Sequence, residues 1–128
     1  MSTVFYTHAA CREHDMGPGH PECPQRLDAI ADHLRATALD LALEHRDAPR
    51  ATLEQIERAH AAAYVSNLVD LLEQVKLSGE SRMLDPDTRA APATLEAALR
   101  AAGAAVAATD DVIGGRARSA FCAVRPPG

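Results

Sequence analysis

Residues 119–124 read SAFCAV, a short and continuous apolar run that is followed directly by RPPG at 125–128. Such a run predicts a strand that is buried on both faces, as in a parallel sheet, and the two prolines predict a loop after it. Near the amino terminus, TVFYT at 3–7 is rich in β-branched and aromatic residues and predicts a first strand. The chain therefore places a predicted strand close to each of its ends.

Between these two strands, apolar residues recur with the spacing of amphipathic helices. The clearest case is 93–113, where the predicted buried stripe excludes Asp111 and consists of Leu95, Leu99, Ala102, Val106 and Ile113. Thr52-Leu-Glu-Gln55 matches a capping box at a helix start. We expect helices over 24–36, 52–58, 62–76 and 93–113, a strand near 41–46, and irregular loops over 8–24 and 78–92. This order predicts an α/β domain with a parallel sheet.

Composition and charge exclude several classes of protein. The 128 residues are 47% hydrophobic and 24% charged, with 27 alanines and no tryptophan, which is typical of a globular chain with closely packed Ala-rich helices. The net charge of −5 provides no basic surface for nucleic acid or anionic lipid. No apolar run approaches the roughly 18 residues of a membrane span, and no signal peptide is evident. Three cysteines without paired spacing predict reduced thiols, and we expect a cytoplasmic protein.

The loop over 8–24 concentrates side chains that could bind a metal ion. His14, Asp15, His20, Glu22 and Cys23 lie within ten residues. Their spacing contains neither a CxxC pair nor an HExxH helix, which are typical of zinc sites. We therefore expect the His and Asp side chains to bind the backbone of their own loop, and we assign no metal ligand in the chain.

Two other groups of charged residues leave alternatives open. Arg26 lies in the first turn of the predicted helix 24–36, where it is either exposed or, if turned inward, part of a buried ion pair or an anion site. Asp85, Asp87 and Arg89 are either solvated loop charges or part of a site, and each Asp is able to cap an Asx turn. Spacing alone does not decide between these readings.

Four motifs in order along the chain resemble the amino-terminal part of the histone deacetylase superfamily. They are GPGHPECPQRL at 17–27, RAH at 58–60 with Tyr64-Val65, LDPDT at 84–88, and AVRPPG at 123–128. The superfamily comprises zinc-dependent deacetylases and acetylpolyamine amidohydrolases, and the chain looks most similar to its class II-like bacterial members. The resemblance implies an arginase/deacetylase-like three-layer fold, of which residues 1–128 form the amino-terminal portion of a single domain.

The resemblance also implies roles for individual residues. His20 and Pro21 match a loop beside the substrate channel, Asp87 matches a rim residue that binds the substrate backbone, and Arg26 matches an arginine that lines a channel for acetate. The residues that match the active-site loop of the family are Arg125, Pro126, Pro127 and Gly128. In the family a tandem His follows this loop directly, and zinc with a His base activates the water that attacks the amide carbonyl.

None of the residues in this chain matches the zinc ligands, the tandem His or the Tyr that polarises the substrate carbonyl in the family. The resemblance therefore implies a zinc-dependent deacetylase in its complete form, acting on acetyl-lysine or acetylpolyamine, and a stretch of 128 residues that is inactive and binds no zinc by itself. The alternative is a non-catalytic module that uses the same half-fold to bind an acylated ligand or a protein partner. The sequence indicates no oligomeric state.

Overall fold

The computed structural model describes residues 1–127 and contains five strands and four α-helices within them. The strands are β1 (Thr3–Thr7), β2 (Leu43–Asp47), β3 (Arg82–Asp85), β4 (Thr88–Ala90) and β5 (Ser119–Cys122). The helices are α1 (Gln25–Ala36), α2 (Leu53–Glu57), α3 (Ala62–Ser78) and α4 (Thr94–Ile113). The predicted helices and the three predicted strands are confirmed to within a few residues. None of the helices in the described part is long and apolar enough to cross a membrane.

The main sheet is parallel, as predicted, and has the strand order β2-β1-β5. Thr3 pairs with Leu43 on one side and with Ser119 on the other. Each connection between the paired strands contains helices, which is the arrangement that parallel pairing requires. The prediction of a strand near 41–46 is therefore confirmed, and this strand completes the sheet of the described residues.

The burial predicted for 119–124 belongs instead to the first strand. Val4, Phe5 and Tyr6 are buried in the centre of the sheet, whereas Phe121 is 50% exposed. The reason is position, because β5 has a hydrogen-bonded neighbour only on its β1 side in the described chain. An apolar run indicates a strand but does not indicate its place in the sheet.

Helices cover both faces of the sheet and produce the predicted three layers. Val4 and Tyr6 pack against Ala104 and Ala108 of α4 on one face. On the opposite face, Phe5 packs against Leu27 of α1 and Cys11, with Ile30 and Leu34 at the margin of this cluster. The alternation of side chains along β1 thus sends successive residues to different layers.

The long helix α4 buries two faces rather than the single predicted stripe. Leu95 and Leu99 pack against α3, but the sheet is covered by the small residues Ala104 and Ala108. Ile113 is 81% exposed and Asp111 is buried, which reverses the prediction for both residues. Small side chains allow a close approach of the helix to the sheet, so Ala positions form the inner face.

Gly103 marks the closest approach of α4 to another segment. A Cβ at this position would lie 1.8 Å from the backbone oxygen of Pro49, far inside van der Waals contact. The amide of Ala51 also donates a hydrogen bond to the carbonyl of Leu99, one turn earlier in α4. The segment after β2 therefore packs directly on the helix backbone, and only glycine leaves room for it.

Two regions that were predicted to be irregular contain short regular elements. The stretch 78–92 forms an antiparallel hairpin of β3 and β4, in which Arg82 pairs with Ala90. The loop over 8–24 includes a 3₁₀ turn at Ala9–Arg12. Both predictions of purely irregular structure are wrong, because Pro and Gly are abundant in these stretches but do not prevent one turn of helix or strands of three and four residues.

Candidate functional site

A cavity of about 510 Å³ lies where the loop over 8–24, the β3–β4 hairpin, α3, α4 and the RPPG segment meet. Its polar lining includes His14, His20, Glu22, Asp87 and Arg89. Apolar residues supply most of the remaining wall, and these are Ile56, Val65, Leu68, Val69, Leu72, Leu84, Leu95, Leu99, Pro126 and Pro127, among others. A largely apolar cavity with a few convergent polar groups is typical of a small-molecule site.

The loop that forms one wall is held by its own side chains, as predicted. The imidazole Nδ1 of His8 accepts from the amide of Ala10, and Nδ1 of His20 accepts from the amide of Glu22, each at 3.0 Å. Asp15 accepts from the amide of Gly17 at 2.8 Å. These bonds occupy polar groups of the backbone that no regular element satisfies.

Arg125 connects this loop to the RPPG segment and is completely buried. Its Nε and Nη2 donate to the two carboxylate oxygens of Glu22 at 3.0 and 2.8 Å. Its Nη1 donates to the carbonyls of Cys11, at 2.9 Å, and His14. A paired and fully hydrogen-bonded guanidinium is the form in which a buried cation is tolerated. Arg125 thereby holds the loop against the segment that contributes Pro126 and Pro127 to the cavity.

His14 extends this buried polar group toward α4. Its Nδ1 lies 2.8 Å from the hydroxyl oxygen of Thr94, which also accepts from the amide of Ala91 at 2.7 Å. Burial and the nearby charge of Arg125 lower the pKa of His14, although Glu22 opposes this shift. The lowered pKa favours the neutral imidazole, which shares a hydrogen bond with the Thr94 hydroxyl through Nδ1.

His20 and Asp87 meet at the edge of the cavity. The Nε2 of His20 lies 3.0 Å from a carboxylate oxygen of Asp87, which joins the loop to the hairpin. The Asp87 side chain is 92% exposed. The neighbouring Asp85 instead accepts from the amide of Asp87, and this hydrogen bond lowers the Asp85 pKa. Asp85 therefore caps the hairpin turn, whereas Asp87 faces the cavity.

Arg26 and Pro21 lie outside the lining of the cavity, and both are exposed. Arg26 donates from Nη2 to the carbonyl of Val124 at 2.6 Å and lies 3.9 Å from Glu22. Of the two readings of Arg26, the structure shows the exposed one in the described chain. The channel role that the resemblance implies for Arg26 remains a prediction, and Gly128 of the active-site loop lies outside the described residues.

The residues that were considered as metal ligands are engaged with other groups. His14 contacts Thr94, His20 contacts Asp87, and Glu22 contacts Arg125. Within residues 1–127, no group of three or more His, Cys, Asp or Glu residues is arranged to hold a metal ion. The described residues therefore do not fit a zinc ion, and all three cysteines are free.

Sequence reasoning missed two aromatic residues of the cavity. His60 and Tyr64 both line it, with ring centroids 5.6 Å apart, and Tyr64 is 55% exposed. Tyr64 lies outside the buried face of α3, which consists of Val65, Leu72 and Val75. The signal that could have identified both residues is their place in the RAH and Tyr-Val motifs.

A second buried charge cluster lies away from the cavity. Asp111 of α4 accepts from the Tyr6 hydroxyl at 2.6 Å, from Arg46 at 2.7 Å and from Arg116 at 2.8 Å. The hydrogen bonds from Tyr6 and Arg116 lower the pKa of Asp111. Because Tyr6 lies in β1 and Arg46 in β2, the cluster connects α4 to the sheet. None of its four residues lines the cavity.

Comparisons with known proteins show which family the chain resembles. The family model of the histone deacetylase domain matches residues 20–128. A histone deacetylase-like amidohydrolase of Pseudomonas aeruginosa is 31% identical over 98% of the chain, which spans 36% of that protein. The polyamine deacetylase HDAC10 of Rattus norvegicus is 31% identical over 84% of the chain, and the match covers 18% of its length.

A solved structure supports the same relationship. The HD domain of HDA15 superposes with a TM-score of 0.86 at 26% sequence identity, over 99% of this chain and 36% of that one. The chain thus spans well under half the length of the relatives that it matches. The family-model match, the identity and the shared fold lead to one conclusion: the chain belongs to the histone deacetylase family.

Proposed function

We propose that residues 1–128 form the amino-terminal portion of a single deacetylase domain that hydrolyses the amide of an acetylated amine, either acetyl-lysine or acetylpolyamine. The observation that carries this proposal is the cavity, which brings His20, Asp87, Pro126 and Pro127 to one place from distant parts of the chain. The names of the relatives, an amidohydrolase and a polyamine deacetylase, support the same reaction class.

In this proposal the described residues bind and orient the substrate. The apolar wall surrounds the aliphatic chain of the amine, while the exposed carboxylate of Asp87 accepts hydrogen bonds from substrate N–H groups at the rim. The hydrogen bond to His20 orients this carboxylate. Zinc in such an enzyme supplies the activation of water. The described residues do not fit the ion, so we assign its ligands to another part of the domain.

The first test separates the two hairpin carboxylates in the full-length protein. We expect Asp87→Asn to raise KM for an acetyl-lysine peptide about tenfold, because an amide oxygen accepts more weakly than a carboxylate. The matched control is Asp85→Asn, since Asp85 caps the turn and does not line the cavity. An Asp85→Asn defect larger than that of Asp87→Asn would contradict this assignment. Failure to hydrolyse any acetylated lysine or polyamine would contradict the deacetylase proposal itself.

The second test concerns Arg26, which we propose assists a step after the chemistry, such as release of acetate. We expect Arg26→Ala to lower kcat more than it raises KM. The guanidinium contacts the Val124 carbonyl next to Arg125, so it lies close to the active-site loop without lining the cavity. An increase in KM at unchanged kcat would instead assign Arg26 to substrate binding or to structure.

A further inference from the structure

Within residues 1–127, the charges that line the cavity are not all compensated by other side chains. The carboxylate of Glu22 is neutralised by the two-point contact with Arg125. Asp87 is hydrogen-bonded to His20. The remaining charged side chain in the lining is the guanidinium of Arg89 on β4.

Arg89 is unusual among the arginines of the described chain. Four arginines are at least half-buried, and three of them, Arg46, Arg100 and Arg125, form ion pairs with carboxylates. Arg89, the fourth, forms no ion pair and no side-chain hydrogen bond within residues 1–127. A half-buried guanidinium has lost part of its hydration, so it favours an anionic partner.

The position of Arg89 is determined by its neighbours. Its Nη1 lies 3.0 Å from the place that a Cβ on Gly17 would occupy, and Gly17 has a φ of +96° that side chains rarely adopt. The guanidinium therefore lies against the loop that also contains His20. This approach is a second contact between the loop and the hairpin, in addition to that of His20 with Asp87. Glycine at position 17 leaves the space that Arg89 uses.

We propose that Arg89 binds a carboxylate of the substrate, so that the preferred substrate is an acylated amine that also carries a negative charge. This inference rests on the proposed deacetylase function and adds a substrate class to it. The carboxylate belongs either to the amine, as in a free amino acid or a chain terminus, or to the acyl group, as in a succinyl amide. A polyamine, which has only positive charges, is disfavoured by the same guanidinium.

The test compares three substrates with the full-length protein. They are Nα-blocked Nε-acetyl-lysine as the free acid, the same compound as the carboxamide, and Nε-succinyl-lysine as the carboxamide. We expect kcat/KM for one of the two carboxylate-bearing compounds to exceed that of the neutral compound by roughly tenfold or more, the usual scale of a hydrogen bond to a charged group. Which one is preferred identifies the position of the carboxylate.

The variants separate recognition from structure. Arg89→Met is expected to remove the preference for the carboxylate-bearing compound, while Arg89→Lys keeps part of it because the charge remains. The matched control is Arg82→Met, an exposed position on the same hairpin that does not line the cavity. A preference that persists in Arg89→Met, or equal rates for all three compounds with the unmodified protein, overturns the inference.

Binding provides a measurement that does not depend on turnover. Calorimetric titration of the same three compounds is expected to show the carboxylate preference in the unmodified protein and its loss in Arg89→Met. If no compound is hydrolysed but this difference in affinity is present, the deacetylase proposal fails while the Arg89 site stands. If the compounds are hydrolysed without any difference in affinity or rate, the Arg89 site fails and the deacetylase proposal stands.

Discussion

The two buried charge clusters of this chain compensate a buried charge in opposite ways. Around Arg125 a completely buried cation is surrounded by one carboxylate and backbone carbonyls. Around Asp111 a buried carboxylate is surrounded by a tyrosine and two arginines that reach the surface, with side chains 30% and 58% exposed. We therefore expect the burial of the surrounding groups, rather than the number of hydrogen bonds, to decide how much of the protein's stability depends on each cluster.

The clusters also differ in what they connect. Arg125 joins segments that are more than 100 residues apart and border the cavity, whereas Asp111 joins α4 to the sheet at a distance from it. We therefore expect changes around Arg125 to affect both stability and activity, and changes around Asp111 to affect stability alone.

The largest effect is expected for Glu22→Gln, which leaves the buried guanidinium without its counter-charge. The free energy of unfolding of the full-length protein should fall by about 3–5 kcal/mol, as for other broken buried ion pairs. Urea denaturation measures this loss. The double variant Glu22→Met with Arg125→Met serves as the control, because removal of both charges should cost less than removal of one. A single variant that is as stable as the unmodified protein would show that the pair contributes little.

A smaller loss, about 1–3 kcal/mol, is expected for Asp111→Asn. Arg46 and Arg116 are partly exposed, so water replaces the lost carboxylate for both guanidinium groups. The same denaturation experiment checks the magnitude, and kcat/KM should stay within about twofold of the unmodified value. The exposed Asp110→Asn next to it is the matched control. A loss of activity without a loss of stability would contradict the separation of the two clusters.

The two clusters should also differ in the pH range over which they contribute to stability. Because His14 has a lowered pKa, the unfolded chain binds its proton first, and the stability that comes from neutral His14 is lost as the pH falls below the ordinary value of 6.5. The lowered pKa of Asp111 acts only as the pH falls below its ordinary value of 3.8. Unfolding curves between pH 4 and 8 should thus show a gradual loss that His14→Gln removes. An unchanged slope in His14→Gln would assign the loss to other groups.

The smallest effect on stability is expected for His20→Ala. Its partner Asp87 is exposed, and exposed pairs of this kind contribute about 0–1 kcal/mol. Loss of the hydrogen bond from the Glu22 amide adds roughly 0.5–1.5 kcal/mol. The expected consequence is functional, with a rise in KM of a few fold because the Asp87 carboxylate loses its orienting contact. His33→Ala, at an exposed position of α1, is the control. A large fall in melting temperature for His20→Ala alone would show that this edge contact is structural.

Much of the fold could be predicted from local patterns in the sequence. The capping box at Thr52 is present with both of its hydrogen bonds, and α1 packs Leu27, Ile30 and Leu34 as its spacing predicts. These features depend on residues a few positions apart, whose interactions are formed within one element. The β3–β4 hairpin was missed because β3 is exposed, β4 has only three residues, and neither strand carries apolar alternation.

Only part of the candidate site could be predicted from the sequence, because many of its contacts join distant segments. His20, Asp87, Pro126 and Pro127 were identified through motifs and do line one cavity. The burial of Arg125, its bonds to Glu22 and the lack of a partner for Arg89 within residues 1–127 were not predictable, because each depends on segments far apart in the chain. Position in a motif indicates which residues belong to a site but not which charges are neutralised there.

The sequence by itself determined the class of fold, the extent of its helices and central strand, and the family to which the chain belongs, since these follow from periodicity and from motifs in a fixed order. Only the tertiary structure decided that β1 rather than β5 is the buried strand, that α4 turns alanines rather than its large apolar stripe toward the sheet, and that Asp111 is buried. Burial is a property of the neighbours that a residue acquires on folding, and those neighbours come from distant parts of the chain.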